Sequence, residues 1–92
     1  MSDSPTIALG DARVGFRGRI QGLTVAGIRS GLSDAELEQR LLELGFVEGA
    51  SVELLHEGLF GRDPIAVRVA DTTIALRRRE AMAIRVTAAE RA

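Results

Sequence analysis

Cysteine, lysine, tryptophan and tyrosine are all missing from the 92 residues, and histidine occurs once, as His56. Without a thiol the chain can form no disulfide, no thiol nucleophile and no thiolate metal ligand. Without lysine it has neither a Schiff-base amine nor the phosphate-gripping lysine of a P-loop. One imidazole excludes a histidine-rich metal cluster. Aromatic residues are 3% of the chain, all Phe. The core must therefore be aliphatic, and the stacking platforms of single-strand nucleic-acid binders are lacking. The 12 arginines face 13 acidic residues, a net charge of −1, so the positive excess of a general nucleic-acid binder is lacking too. No run approaches the ~20 apolar residues of a membrane span. Met1-Ser2-Asp3-Ser4-Pro5 carries acid where a signal peptide carries base. A cytoplasmic protein of a single domain is expected, with no room for a two-domain enzyme.

What is present reads as short strands and one helix. Hydrophobic residues are 46% of the chain, enough for a packed core. Thr6-Ile7-Ala8-Leu9 suits a first strand, and Gly10-Asp11 a turn. From Phe16 to Leu23 the pattern alternates. Phe16 and Ile20 point one way, and Arg17, Arg19 and Gln21 the other, as in a half-buried strand. Gly18 and Gly22 mark a bend, a bulge or a close backbone approach. Ser33 with Glu36 three residues on has the form of a capping box. Leu37, Leu41 and Leu44 follow at helical spacing, widened by Leu42. Gly45 suits the left-handed position after a helix, with Phe46 folding back onto it. The helix is expected at about 34–44.

Beyond Gly45 the period becomes two. Val52, Leu54 and His56 share one face, and Glu53, Leu55 and Glu57 the other. Gly58 to Pro64 is a loop by its glycines and proline. Ile65, Val67 and Val69 alternate on the next strand, Ala70-Asp71-Thr72 turns, and Ile74 and Leu76 continue. Arg77 to Ala81 reads as a single helical turn, and Met82, Ile84 and Val86 share a last face. Strands this short must close on themselves to bury a core. The expected fold is mainly β: a small SH3-like barrel of five or six short strands with one inserted α-helix. An OB-type barrel, whose helix usually follows the third strand, fits the order less well. The expected organisation is a flexible N-terminus at 1–5, a barrel domain at 6–87 and a tail at 88–92.

The run from Gln39 to Val52 resembles the helix-to-strand segment of FeoA-type ferrous iron transport proteins. Arg40-Leu41, Leu44-Gly45, a hydrophobic pair, Gly49 and a valine-bearing strand stand in that order. Leu59-Phe60-Gly61-Arg62-Asp63-Pro64-Ile65 resembles the family's Leu-Gly-Asp-Pro-Ile loop. Ile74 to Ala81 resembles its Leu-Arg-Arg-x-Glu-Ala turn, and Leu9-Gly10-Asp11 with Gly15 and Ile20 its opening. Glu48 stands where the family often has Pro, and Arg62 stands as an insertion in the Gly-Asp-Pro loop. The resemblance spans about residues 6–87. It implies a non-enzymatic accessory protein that binds and modulates an FeoB-type membrane transporter with a GTP-binding domain. That places it in the cytoplasm, peripheral at the inner membrane through its partner, without inserting and without binding nucleic acid. The same barrel occurs as the C-terminal module of iron-dependent repressors. A regulatory module acting in trans by protein interaction is therefore the alternative, and a metal chaperone a further rival.

Candidate sites are few. Any Ser-His-Asp arrangement would need His56, whose parity with Val52 and Leu54 instead packs it at the barrel edge; no catalytic residue is assigned. Fe(II) accepts imidazole and carboxylates, which makes His56, Glu57 and Asp63, with Glu53 nearby, the candidate metal ligands. Glu53 and Glu57 have the opposite parity to His56, so a solvated strand face accounts for them better. No cofactor is expected, and Fe(II) is associated indirectly, through the partner. The partner-binding candidates are Leu59 and Phe60, an apolar pair between glycines in which Phe60 can equally fold down to cap the open barrel end, and the consecutive Arg77, Arg78 and Arg79. Small barrels also have edges that can pair with a second copy. Residues 58–92 hold seven arginines against four acids, +3, and residues 1–57 hold five against nine, −4. The near-neutral total thus conceals a molecule with two electrical halves, and a basic patch suits an acidic partner.

Overall fold

Alternating apolar residues along the chain become six short strands in one antiparallel sheet. The computed structural model describes residues 5–89. The expected flexible N-terminus, up to residue 4, and the expected tail, from residue 90, lie outside the described residues. The strands are β1 (Ile7–Ala8), β2 (Arg17–Leu23), β3 (Ser51–Glu57), β4 (Ile65–Val69), β5 (Thr72–Leu76) and β6 (Ile84–Ala88). The order across the sheet is β1-β6-β2-β3-β4-β5. A 3-10 turn, Leu9–Asp11, follows β1. Helix α1 (Asp34–Glu43) is inserted between β2 and β3, and α2 (Arg78–Ala81) between β5 and β6. The six strands and the inserted helix are the expected ones.

Two bulges curl the sheet. In the β2–β6 ladder Ile20 faces Val86 and Gly22 faces Arg85, so Gln21 is an extra residue on β2. In the β3–β4 ladder Leu54 faces Val67 and His56 faces Ala66, so Leu55 is extra on β3. A bulge increases the local twist and lets a short strand bend round a core. Gly18 meets the expectation of close approach, because a Cβ there would collide with the Thr87 carbonyl on β6 and press on the Phe16 ring. The concave side holds a contiguous apolar core that includes Ile20, Leu54, Ile65, Val67, Ile84 and Val86. Burying each such side chain contributes about 1.5–3 kcal/mol relative to leaving it in water.

Helix α1 plugs one end of this core. The Ser33 Oγ accepts from the Glu36 N–H at 3.1 Å, and a Glu36 carboxylate oxygen accepts from the Ser33 N–H at 3.0 Å. The Ser33 N–H first, and the Ser33 hydroxyl second, lower the pKa of the Glu36 carboxyl from its ordinary value. Leu37 and Leu41 are buried, while Leu42 stays exposed at the side of the stripe. Gly45 takes the left-handed conformation with φ +107°. The Gly45 N–H then donates to the Leu42 carbonyl and the Phe46 N–H to the Leu41 carbonyl, both at 3.0 Å. This Schellman closure reverses the chain and drops Phe46 into the core, fully buried.

Candidate functional site

The Gly58–Pro64 loop joins β3 to β4, and its base is built tightly. The Gly58 N–H donates to the Pro64 carbonyl at 2.9 Å. A Cβ at Gly58 would run into the Asp63 carbonyl, so only glycine fits this crossing. Arg62 and Gly61 both take left-handed φ values, 58° and 68°. The loop is thereby folded back on itself at its foot and thrown outward at its tip. Leu59 is 96% exposed and Phe60 90%. Phe60 therefore does not fold down over the barrel end. Two large apolar side chains stand in water side by side.

Arg78 locks this loop to the barrel. Its side chain is 12% exposed. Nε donates to the Arg62 carbonyl at 2.8 Å. Nη1 donates to the carbonyls of Gly10 at 3.0 Å and Ala12 at 2.7 Å. Nη2 pairs with a Glu57 carboxylate oxygen at 2.7 Å. The Arg78 backbone N–H donates to the Asp63 carboxylate at 2.8 Å. One guanidinium thus ties together the 3-10 turn, the end of β3 and the loop. The three consecutive arginines therefore do not form one patch. Arg77 and Arg79 are exposed, and Ile65, at the foot of the loop, is paired in register with Leu76, the residue before Arg77. Leu59, Phe60, Arg77 and Arg79 share one end of the molecule, with Arg78 spent beneath them.

The metal candidates are not brought together. The expectation that His56 packs at the barrel edge fails, because the bulge at Leu55 breaks the alternation and turns His56 out to solvent. Glu57 is committed to the Arg78 guanidinium, and Asp63 caps the Arg78 N–H. Among the described residues, no three His, Asp or Glu side chains stand together as metal ligands.

A second feature lies on the convex side of the sheet. A cavity of about 270 Å³ is lined by Arg17, Arg19, Ser51, Glu53 and Arg68 among others. Sequence reasoning passed over it because these residues read only as the solvent face of three strands. The available signal was the run Arg17-Gly18-Arg19, two arginines on one strand face.

The sequence profile described as "FeoA domain" matches residues 7–88. The chain belongs to the FeoA family. Among solved structures, FeoA from Stenotrophomonas maltophilia in complex with zinc, described as a prokaryotic SH3 domain protein, is 31% identical. The match covers 85% of this chain and 86% of that one, with a TM-score of 0.69. An FeoA-like protein from Clostridium acetobutylicum is 21% identical over 99% of this chain and 94% of that one, with a TM-score of 0.76. A manganese-dependent transcriptional repressor shares the fold at 21% identity, over 97% of this chain and 45% of that one, with a TM-score of 0.72. Curated proteins give no match. The family and the SH3-like barrel expected from the motifs are both shown. Among the described residues, no helix of this FeoA-family chain is long and apolar enough to cross a membrane.

Proposed function

We propose that this FeoA-family chain is a non-enzymatic accessory of bacterial ferrous iron uptake that docks on an FeoB-type transporter from the cytoplasm. The observation that carries the reading is the Leu59–Phe60 tip. An exposed apolar pair costs solubility and brings no fold stability, and such pairs are the anchors that fill pockets on partners. The tip is held out by Gly58, Asp63 and Arg78, so little ordering entropy is lost when it docks. Arg77 and Arg79 beside it supply positive charge for an acidic rim, which favours encounter and register more than affinity. Docking modulates the transporter if the tip binds one of its conformational states better than another. Family membership supports the iron-uptake setting, and the S. maltophilia relative has been put forward as a ferrous iron transport activating factor.

The experiment is a binding measurement between the full chain and the detergent-solubilised transporter. Leu59→Ser with Phe60→Ser is expected to weaken binding at least roughly tenfold, as loss of a hot spot of about 2 kcal/mol does. Unchanged binding by a folded double variant overturns the reading. The likeness to the manganese-dependent repressor favours a second reading, a regulatory module acting in trans on a DNA-binding protein. Recovery of such a protein, and not the transporter, through the wild-type tip would establish it.

A further inference from the structure

The convex-face cavity lies apart from the Leu59–Phe60 tip and is built from three strands in register. Arg17 faces Glu53 across β2–β3, and Glu53 faces Arg68 across β3–β4. Arg19, two residues along β2, faces Ser51. Opposite charges placed directly across strands ordinarily pair. Here they do not: among the described residues the one salt bridge is Arg78 with Glu57. Arg19 gives one N–H to the Gly49 carbonyl at 3.0 Å. Arg17 and Arg68 have no side-chain hydrogen bond among the described residues. Arg17, Arg19, Arg68 and Ser51 thus line a single concave space, and the three guanidinium groups have most of their donors unused. Three arginines against one glutamate leave it a charge of +2.

We infer that this cavity binds a diphosphate-class oxyanion. Guanidinium forks match the paired oxygens of phosphoryl groups and remain charged at every relevant pH. Three guanidinium groups offer more donors than one tetrahedral anion takes up, which favours an anion with two charged centres. The backbones of Arg17 and Arg19 are two strand residues apart, about 6.8 Å, and those of Arg17 and Arg68 two strand spacings apart, about 9.6 Å, distances that arginine side chains readily bridge. A single tetrahedral centre satisfies one or two such forks, whereas two linked phosphoryl groups reach all three. The Ser51 hydroxyl donates a further bond. Glu53 stands against the ligand and limits its affinity. Free pyrophosphate and the diphosphate of a nucleotide present the same chemistry. The inference stands independently of the transporter reading, because none of these residues belongs to the tip.

The test is a titration of the ¹⁵N-labelled full chain with sodium pyrophosphate at constant ionic strength, followed by amide chemical shifts, with ADP and sulfate as parallel arms. Saturable shifts are expected at residues 17–19, 51–53 and 68–70, with Kd near or below about 1 mM. Arg17→Ala with Arg68→Ala, both at exposed positions, is expected to weaken binding roughly tenfold or more while spectral dispersion is kept. Glu53→Gln is expected to tighten it roughly two- to fivefold, since it removes a like charge. Equal affinity for pyrophosphate and ADP identifies the free diphosphate as the source, and tighter ADP binding identifies a nucleotide; either supports the site. Four outcomes overturn it: no saturation by about 10 mM, unchanged binding by the double arginine variant, shifts centred on Arg77 and Arg79, or sulfate binding as tightly as pyrophosphate.

Discussion

Arg78 shows how much of the molecule one side chain can carry. Its guanidinium reaches four acceptors that belong to three separate stretches of chain, and its backbone N–H makes a fifth contact, at Asp63. Lysine at this position keeps the charge but replaces a planar fork by a point donor. It cannot serve Arg62, Gly10, Ala12 and Glu57 together, and carbonyls at a partly buried seam are left unpaired. Arg78→Lys is expected to lower stability in urea denaturation by about 2–4 kcal/mol. Arg77→Lys and Arg79→Lys, both on the surface, are expected to stay within about 0.5 kcal/mol of wild type. Equal losses at the three positions would contradict the assignment. Nothing in a run of three identical residues marks which one turns inward. That choice is made by where α2 begins and by which carbonyls the 3-10 turn and the loop bring within reach, so it belongs to tertiary structure.

At the scale of elements, helix α1 was readable to within a residue at its end, because its start and stop signals are local. Ser33, Glu36, Gly45 and Phe46 act on backbone groups no more than five residues away, and each contact is found. The bulges were not readable in the same way. Val52, Leu54 and His56 stand at alternate positions to Glu53, Leu55 and Glu57, and the slip at Leu55 shows only in the pairing with β4. His56 therefore lies exposed, on the face opposite to the one its parity with Val52 and Leu54 predicts. The capping box also carries a pH signature. The Ser33 N–H first, and the Ser33 hydroxyl second, favour the ionised Glu36, so its folded pKa lies below its ordinary value of 4.5. A carboxyl shifted down contributes stability that is present above its unfolded pKa and lost as pH falls through the folded one. The difference in urea midpoint between wild type and Glu36→Gln is expected to be constant from neutral pH to about 5 and to shrink below about 4.5. A difference that persists undiminished to about pH 2 would show that the carboxylate's charge plays no part in the cap.

For the whole molecule, the three phenylalanines show where stability and function part. Phe46 is fully buried, Phe16 packs half-buried against the core, and Phe60 stands 90% in water. Sequence alone pointed Phe46 inward through the helix-ending glycine, and Phe16 inward through strand alternation. It left Phe60 open, because nothing local decides whether a loop tip lies down or stands up. The base of the loop decides it, through the Gly58 crossing, the left-handed Arg62 and the Arg78 lock. Domains of this size are stable by about 5–15 kcal/mol. Phe46→Ala removes a large, fully buried ring, and is expected to cost about 3–5 kcal/mol. That is a large part of the margin, read as a fall in both urea midpoint and Tm. Leu59→Ser with Phe60→Ser removes comparable apolar volume but from water, so its stability is expected to remain within about 0.5 kcal/mol of wild type. The pair of measurements separates the two uses of an apolar side chain. If the tip variant destabilises as strongly as Phe46→Ala, then the tip packs on the barrel in solution, and its exposure no longer argues for a partner. If it leaves the urea midpoint in place, then stability does not account for Leu59 and Phe60, and a surface that binds something else does.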